Sequence, residues 1–345
     1  MRLMLTIKGG YPSHNFKGTQ HFPTPLAIKK LIEGAEKNAQ EHGFRAHVFQ
    51  TSEVSSKYVV QIIKAAIKKK WEHTEISKEC AKQKLTQEEK AFVLNFLVYW
   101  KELEAQPEFR ETAKQMVDYL FKESAEHFWG TGKASYCVSL LAEDGSPAGM
   151  LLGALLRPYE LLTNNKVKMN PMRGSDFINF YQYIVVPEEY RNEGGADVLQ
   201  AAAEKFVKTH TSRYSNLIIA QVDKDNPVFD DQAKMRMLPY EIPGLRHFEM
   251  IPNDSLYAIQ CEFPPASKQE PLTLRILSPE TKGVLRGDSV IDMVKGLVSY
   301  YDVYPGHKIA GTKREAFDAY VNYHLKNVKF GKDGNVQLEY RGEKK

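Results

Sequence analysis

The segment 191–196, with the sequence RNEGGA, is the part of the chain whose residue types and spacing point most directly to chemistry. A strand-like run precedes it and a helix-like run follows it, so the segment opens a helix. The first N–H groups of a helix have no partner inside the helix and carry partial positive charge. Glycines at this point let the backbone approach a ligand without interference from a Cβ atom. The segment therefore predicts an anion cradle, for which a pyrophosphate is a natural ligand.

Two common phosphate-binding motifs are absent from the chain. It contains no G-x-x-x-x-G-K-[ST], which excludes a P-loop, and no G-x-G-x-x-G after a strand, which leaves a dinucleotide fingerprint unsupported. The ligand of the cradle at 191–196 must therefore be inferred from the strands and helices that surround it in the sequence.

Hydrophobic periodicity predicts the elements that position this cradle. Before it we expect a short strand ending at Gly9-Gly10, a helix from Thr24-Pro25 to Gly43, a strand at 44–50 and a helix with apolar residues at 59–67. Residues 72–85 are polar and predict a linker. Thr86 and Glu89 then form a capping box before an almost wholly apolar helix.

The chain from residue 135 onward predicts mostly strands. A hairpin turns at EDGSP, a strand follows at 177–186, the cradle opens a helix, and NLIIAQV is the next strand. After Asn226 we expect a few helical turns and then a strand, SLYAIQCEF. Beyond the boundary PPASKQEP we expect a strand LTLRIL, helices at 289–302 and 313–327, and a final strand NVQLEY.

The cradle in this context resembles motif A of the GNAT superfamily of acyl-CoA-dependent N-acyltransferases. The family pattern [Q/R]-x-x-G-x-[G/A] is met by Arg191, Gly194 and Ala196. The preceding PEEY resembles the family's lead-in to the motif, and VDKDN, ending at Asn226, resembles its V-x-x-x-N. The hairpin is similar to the family's second and third strands, so the resemblance covers roughly residues 45–263.

The resemblance implies acetyl-CoA as co-substrate and a set of residues that contact it. The pyrophosphate would be held by backbone N–H groups of 192–196, and backbone groups near Val185 would bond the pantetheine arm and polarise the thioester carbonyl. The implied cofactor-binding residues are Ile184, Val185, Val186, Arg191, Asn192, Glu193, Gly194, Gly195, Ala196 and Asn226.

The catalytic residues are less closely matched to the family. A lysine-type amine has a pKa of about 10.4, so a group or water chain must remove its proton before attack. The glutamate that many members place about twelve residues before the motif is absent, and Asp176 and Tyr183 are the polar alternatives. Ala233 stands where the family's tyrosine is expected after Asn226, so we assign the acid role to Tyr240, which could equally be a packed structural tyrosine.

Composition excludes several other classes of protein. The chain has 345 residues, 42% of them hydrophobic, and a formal net charge of +4, which is typical of a globular protein and not of a dedicated nucleic-acid binder. No run is long and apolar enough to predict a membrane span or a signal peptide. Three widely spaced cysteines predict neither a disulfide framework nor a metal site, so we expect a cytoplasmic protein without a metal.

Together these patterns predict an α/β protein with a GNAT-type mixed central sheet flanked by helices. We expect an N-terminal β-α extension at 1–44, the acyltransferase domain at 45–263 and a small α+β C-terminal domain at 272–345. The predicted reaction is acetyl transfer to a primary amine of a protein or small molecule. A catalytically silent acyl-CoA-binding regulatory module is the alternative, and nucleic-acid and membrane partners are not expected.

Overall fold

A computed structural model describes residues 6–7, 26–50, 57–105, 134–156, 159–161, 167–169, 178–210, 218–223, 240–245, 272–277, 283–303 and 321–340. Within these residues the fold is mixed α/β, with parallel and antiparallel strand pairs and packed helices.

The described helices and strands follow the order that the hydrophobic pattern predicts in most places. The helices are α1 (Leu26–Glu41), α2 (Lys57–Lys69), α3 (His73–Lys82), α4 (Gln87–Ala105), α5 (Gly195–His210) and α6 (Gly287–Val303). The strands are β1 (Thr6–Ile7), β2 (Arg45–Gln50), β3 (Ala134–Leu141), β4 (Pro147–Leu156), β5 (Tyr159–Leu161), β6 (Val167–Met169), β7 (Ile178–Val185), β8 (Ile218–Asp223), β9 (Tyr240–Glu241), β10 (Leu272–Leu277), β11 (Val284–Arg286), β12 (Asn335–Gln337) and β13 (Glu339–Tyr340).

The chain divides into two compact units. The first comprises Met1–Trp129, Ala134–Ala154 and Gln182–Arg213, and the second comprises Gly130–Lys133, Leu155–Tyr181 and Tyr214–Lys345. The division falls inside strands β4 and β7, so each of these strands contributes to both units. The three-domain division expected from the sequence remains a prediction.

The sheet of the first unit is covered by helices on both faces. Strands β1 and β2 are parallel, β2 and β3 are antiparallel, and β4 lies next to β3. Cys137 on β3 belongs to an apolar cluster with α2, α3 and α4, whereas its neighbour Tyr136 packs against Phe206 of α5. Because successive side chains of a strand point to opposite faces, these contacts place α2–α4 on one face and α5 on the other.

Two local predictions in the first unit are confirmed. The Glu89 carboxylate accepts the Thr86 N–H at 2.8 Å, and Thr86 Oγ1 accepts the Glu89 N–H at 3.2 Å, which completes the capping box of α4. The EDGSP turn joins β3 to β4, with the Ala142 N–H donating to the Ser146 carbonyl at 3.0 Å and Gly145 at φ +84°.

The predicted linker at 72–85 is wrong, because the structure has helix α3 there. Ile76 and Cys80 lie four residues apart on one helical face and are both buried in the core cluster. A capping box between Glu72 and Glu75 starts the helix. The other residues of α3 are polar except for Ala81, and most of them are exposed, which is why the composition of this segment did not reveal the helix.

The second unit contains a sheet with the strand order β7–β8–β10–β9–β13. Strands β7 and β8 are parallel, with Asn179 opposite Ile218, and β10 pairs antiparallel with β8 over its full length. The predicted strand NVQLEY is two strands in the structure: β12 pairs with β11, and β13 pairs with β9. The Leu338 N–H between them donates to the Gly283 carbonyl at 2.7 Å.

Other predicted elements fall wholly or partly outside the described residues. The helix after Asn226 and the strand SLYAIQCEF lie outside them. Of the predicted helix 313–327 only 321–327 is described, with 321–325 as helix and 326–327 as a turn.

Two cysteines are buried in the core of the first unit. Cys80 is 1% exposed and Cys137 is fully buried. Burial raises the pKa of the Cys80 thiol to about 11 and that of Cys137 still further. Neither thiol is therefore poised to act as a nucleophile.

His47 on β2 is a half-buried histidine with a perturbed pKa. Its Nδ1 atom is buried and makes no hydrogen bond within the described part of the chain. Burial lowers the pKa of His47, and Arg45 lowers it further, while the carboxylate of Glu88 partly offsets both effects.

We expect His47 to make stability depend on pH. Because its folded-state pKa lies below the ordinary value of 6.5, the unfolded chain binds the proton first as pH falls. The contribution of His47 to the stability of the folded state is therefore fully present above about pH 6.5. It is lost as the pH drops through the folded-state pKa. Thermal unfolding between pH 7.5 and 5 should show a smaller decrease for His47→Gln than for the wild type. The exposed His73 provides the control, and a His73→Gln decrease equal to that of His47→Gln would contradict the assignment.

Candidate functional site

The loop between β7 and α5 is tightly folded on itself. After Val185 the chain passes through a 3₁₀ turn at Glu188–Tyr190. The Tyr190 N–H donates to the Pro187 carbonyl at 2.9 Å, and the Glu193 N–H donates to the Tyr190 carbonyl at 3.3 Å. These consecutive turns bring the chain to the start of α5 at Gly195.

Side chains tie this loop to its own start and to the β3–β4 turn. The Arg191 Nε atom donates to the Val186 carbonyl at 3.0 Å, which closes the loop. The Tyr190 hydroxyl and Ser146 Oγ lie 2.8 Å apart, and the Tyr190 ring packs edge-on against Phe44. The loop is therefore held in one conformation before any ligand is considered.

Gly194 is at the point where the loop becomes helix, and no other residue type fits there without strain. Its φ is +77°, which is the left-handed region. A Cβ atom on Gly194 would lie 2.1 Å from Nδ2 and 2.6 Å from Cγ of Asn38 on α1. Glycine is thus required at this position both by the backbone conformation and by the close approach of α1.

The N-terminus of α5 presents N–H groups that the helix does not use. The first helical hydrogen bond runs from the Val198 N–H to the Gly194 carbonyl at 3.1 Å. The N–H groups of Gly195 and Ala196 precede it, and they donate to no other residue among those described, as is also true of Asn192 and Gly194. The N–H of Glu193 differs, because the Tyr190 carbonyl accepts it.

One charge in the loop opposes anion binding. The Glu193 carboxylate lies 3.7 Å from Nδ1 of His42, and both side chains are partly exposed. His42 in turn stacks on Phe44 at a ring-centroid distance of 5.7 Å. The negative charge of Glu193 is thus beside the cradle.

The neighbouring strand β4 departs from regular geometry opposite the end of β7. Gly149 has φ +152°, and a Cβ atom there would lie 2.9 Å from the carbonyl oxygen of Val185. The Gly149 N–H donates to Oδ1 of the buried Asn95 on α4 at 2.9 Å. Asn95 Nδ2 also donates to the carbonyls of Ala91 and Leu140, each at 3.0 Å.

Nine of the ten sequence-predicted cofactor residues lie at the end of β7, in the loop that follows it and in the first two positions of α5. Ile184, Val185 and Val186 are half-buried, Arg191 and Asn192 are exposed, and Gly195 is buried. Asp176, Asn226 and the side chain of Tyr183 lie outside the described residues. Their roles remain predictions.

Tyr240, the predicted acid, is half-buried on the short strand β9 of the second unit. Its ring packs edge-on against Tyr340 at 5.6 Å. The adjacent Glu241 forms an ion pair with Arg275 at 3.6 Å, in which both side chains are largely buried. These contacts account for a packed tyrosine, and they leave its catalytic role untested.

Three residues near the loop were not singled out from the sequence. Asn38 on α1 and His42, the residue after α1, contact it, and such long-range contacts leave no local pattern in a sequence. Asn95 did leave a signal, since it is an amide in the middle of an otherwise apolar helix. A buried amide usually has specific hydrogen-bond partners, as Asn95 does.

The described residues meet neither the requirements of a metal site nor those of a membrane-spanning helix. Among them, no group of three or more His, Cys, Asp or Glu side chains is arranged to hold a metal ion. None of their helices combines the length and the apolar character needed to cross a bilayer.

No family model and no curated protein matches the chain. Several solved structures are similar to it over part of its length. Nourseothricin acetyltransferase matches with a TM-score of 0.24 and 16% identity, over 41% of this chain and 64% of its own length. A putative acetyltransferase of the GNAT family from Desulfovibrio desulfuricans matches with a TM-score of 0.32 and 13% identity, over 55% of this chain and 92% of its own.

The NatC complex bound to Gag peptide and CoA also matches, with a TM-score of 0.26 and 14% identity, over 55% of this chain and 92% of its own. With TM-scores this low, the three likenesses assign neither a family nor an activity to the chain.

Proposed function

We propose that the chain is an acyl-CoA-dependent N-acyltransferase that transfers acetyl from acetyl-CoA to a primary amine of a protein or small molecule. The observation that carries this proposal is the loop 186–194, which is closed by Arg191 and enters α5 through Gly194 at positive φ. It is the part of the sequence that resembles the acyltransferase motif, and its conformation suits a bound pyrophosphate.

In this proposal the loop binds the nucleotide end of acetyl-CoA. The N–H groups of Gly195 and Ala196 would donate to pyrophosphate oxygens, with those of Asn192 and Gly194 nearby. Because Arg191 and Tyr190 already hold the loop, little conformational entropy is lost when the ligand binds.

The end of β7 would hold the arm that carries the thioester. Val185 packs against the core cluster of α2–α4, so its backbone position is fixed. Acetyl-CoA supplies an activated acyl group, and the protein must orient it and let the amine lose its proton. Asp176 and Tyr183 remain the proposed proton acceptors, and Tyr240 the proposed acid.

Titration of acetyl-CoA into the purified protein, followed by measurement of thiol release, tests the proposal. Micromolar binding with slow release supports an acyltransferase and justifies a screen of amine acceptors. Binding with no release, even across a panel of peptide and small-molecule amines, favours the silent acyl-CoA-binding module instead. Absence of binding by the folded protein contradicts both.

We expect Glu193→Gln to tighten acetyl-CoA binding. The substitution removes a negative charge from the loop proposed to hold a diphosphate, and loss of this like-charge repulsion within a Debye length should raise the affinity about three- to fivefold. The gain should be measurable calorimetrically at low ionic strength and should vanish near 1 M salt, where the Debye length is about 3 Å.

Glu104→Gln on α4 removes the same charge from an exposed site outside the loop and is the matched control. An equal gain in the Glu104 variant would show that net charge, and not the position of Glu193, is responsible.

A further inference from the structure

We infer that the C-terminal ends of α2 and α3 form a docking surface for an acidic segment of a partner protein. This lysine surface consists of five exposed side chains: Lys68, Lys69, Lys70, Lys82 and Lys84. The inference goes beyond the proposed function and does not depend on acyl-CoA binding.

Helices α2 and α3 end in the same hydrogen-bonded motif. At the end of α2 the Trp71 N–H donates to the Ala66 carbonyl at 3.0 Å. At the end of α3 the Leu85 N–H donates to the Cys80 carbonyl, also at 3.0 Å. Both bonds belong to the Schellman motif, in which the first residue after the helix is in the left-handed conformation and the next residue packs on the core. Trp71 and Leu85 both pack against the apolar cluster of the first unit.

Lysine is the left-handed residue of both motifs. Lys70 has φ +54° and Lys84 has φ +55°, and among the residues that the structure describes no other side chain larger than glycine's has positive φ. Glycine is the usual residue at this position, because a Cβ atom is strained there. The chain itself has glycine after α1, where Gly43 has φ +67°. A strained residue type that recurs at two such positions indicates that its side chain serves a purpose other than folding.

The two helix ends lie around one carboxylate. Glu79 on α3 is 3.4 Å from Nζ of Lys82. A hydrogen bond from Gln83 is the main cause of the lowered pKa of Glu79, and the positive charges of Lys82 and Lys69 lower it further. Lys69 of α2 and Lys82 of α3 thus act on the same carboxylate, so the lysine surface is continuous across the two helices.

The lysine surface has an excess of positive charge. Residues 57–71 contain five lysines and no acidic residue, whereas the net charge of the whole chain is only +4. Glu79 can offset only one of the five charges of the surface. Lysines in the last turn of a helix complement its dipole, which accounts for Lys68 and Lys69. It does not account for lysine at the left-handed positions, where glycine would end each helix with less strain.

An acidic protein segment fits this surface better than a nucleic acid does. Single strands bind to aromatic rings on which their bases stack. Trp71, the aromatic residue next to these lysines, packs on the core and has Lys69 Nζ over its ring at 5.2 Å from the centroid. The exposed carboxylates of Glu72 and Glu75 at the start of α3 would repel the continuous charge of a nucleic-acid backbone. The separate carboxylates of a peptide can instead pair with individual lysines.

Anisotropy titration of a fluorescent peptide of ten glutamates with the full chain tests this surface. Lys70→Gly combined with Lys84→Gly should weaken binding about five- to tenfold at low ionic strength, the effect of losing two exposed charge pairs. The difference should vanish near 1 M salt, where the Debye length is about 3 Å. In urea the same variant should be at least as stable as the wild type, because glycine suits both left-handed positions. Loss of the fold therefore cannot explain the weaker binding.

Two further double variants separate position from charge. Lys70→Gln with Lys84→Gln removes the charges and keeps the backbone strain, and it should lose as much affinity as the glycine variant. Lys329→Gln with Lys332→Gln is the matched control, because it removes the same charge from exposed sites of the second unit. Its affinity for the peptide should equal that of the wild type.

An equal loss in the Lys329 and Lys332 variant would show that net charge is responsible, and it would overturn the inference. Unchanged affinity in the glycine and glutamine variants, or absence of peptide binding by the folded wild type, would overturn it as well. A single strand of ten thymidines, which has nearly the same charge as the peptide, should bind more weakly. Tighter binding of that strand would assign the surface to nucleic acid instead.

Discussion

Replacing Gly194 with alanine should weaken acetyl-CoA binding by at least about a hundredfold. A residue with a Cβ atom at φ +77° is strained by about 1–2 kcal/mol, and the new methyl group would overlap the Asn38 amide at 2.1 Å. Relief of this overlap requires that the Asn38 side chain or the loop moves, and a shift of the loop away from α1 displaces the N–H groups at the start of α5. Charge-assisted hydrogen bonds contribute about 1.5–3 kcal/mol each, so losing two of them accounts for the expected effect.

Gly145→Ala is a matched control for this prediction. Gly145 is in the β3–β4 turn of the same unit, has φ +84°, and a Cβ atom there meets nothing within 4 Å. It therefore imposes the backbone strain without the steric overlap. Calorimetry should find normal acetyl-CoA affinity in Gly145→Ala, together with a loss of stability no larger than that of Gly194→Ala. Normal affinity in folded Gly194→Ala would remove the loop from the binding site.

The largest effect on stability is expected at Gly153. A Cβ atom there would lie 2.2 Å from Cζ of Tyr136, whose ring is fully buried and packs against Phe206. Tyr136 cannot move away, because both faces of this sheet are covered by helices. Gly153→Ala should reduce the free energy of unfolding by about 3 kcal/mol or more, at the upper end of the range for overpacked cores.

Urea denaturation of a double-mutant cycle tests the cause of that loss. Tyr136→Leu alone should be destabilising, because it leaves a cavity. Combined with Gly153→Ala it should cost less than the sum of the two single changes, since the smaller side chain makes room for the methyl group. Strict additivity would show that the alanine acts through something other than Tyr136.

Local features of this chain could be predicted from its sequence because they depend on residues close together. The capping box at Thr86 and Glu89, the EDGSP turn and the loop-to-helix transition at Gly194 are each contained in a few consecutive positions. Hydrophobic periodicity was sufficient for α2 and α5, because most of their buried residues are apolar and recur at helical spacing.

Features that depend on distant residues could not be predicted in this way. Helix α3 has only two buried residues, Ile76 and Cys80. Two apolar residues are too few for a helical spacing to be recognised among the surrounding charged residues. The contact of Asn38 with Gly194 joins positions more than 150 residues apart, and nothing local to either position encodes it. The same holds for Asn95 and Gly149, whose hydrogen bond depends on how α4 lies across the sheet.

The burial of Cys80 and Cys137 has a practical consequence for any colorimetric assay of this protein. A dye that reacts with thiolates will not react with either sulfur while the first unit is folded, because both sulfurs are buried from solvent and protonated at neutral pH. The colour that develops on the folded protein can therefore be attributed to CoA released by turnover, above a constant baseline from any reaction of Cys261. When the first unit unfolds, two further sulfurs become reactive at once. The same reagent then reports unfolding as a stepwise increase in the number of sulfurs that react per protein molecule.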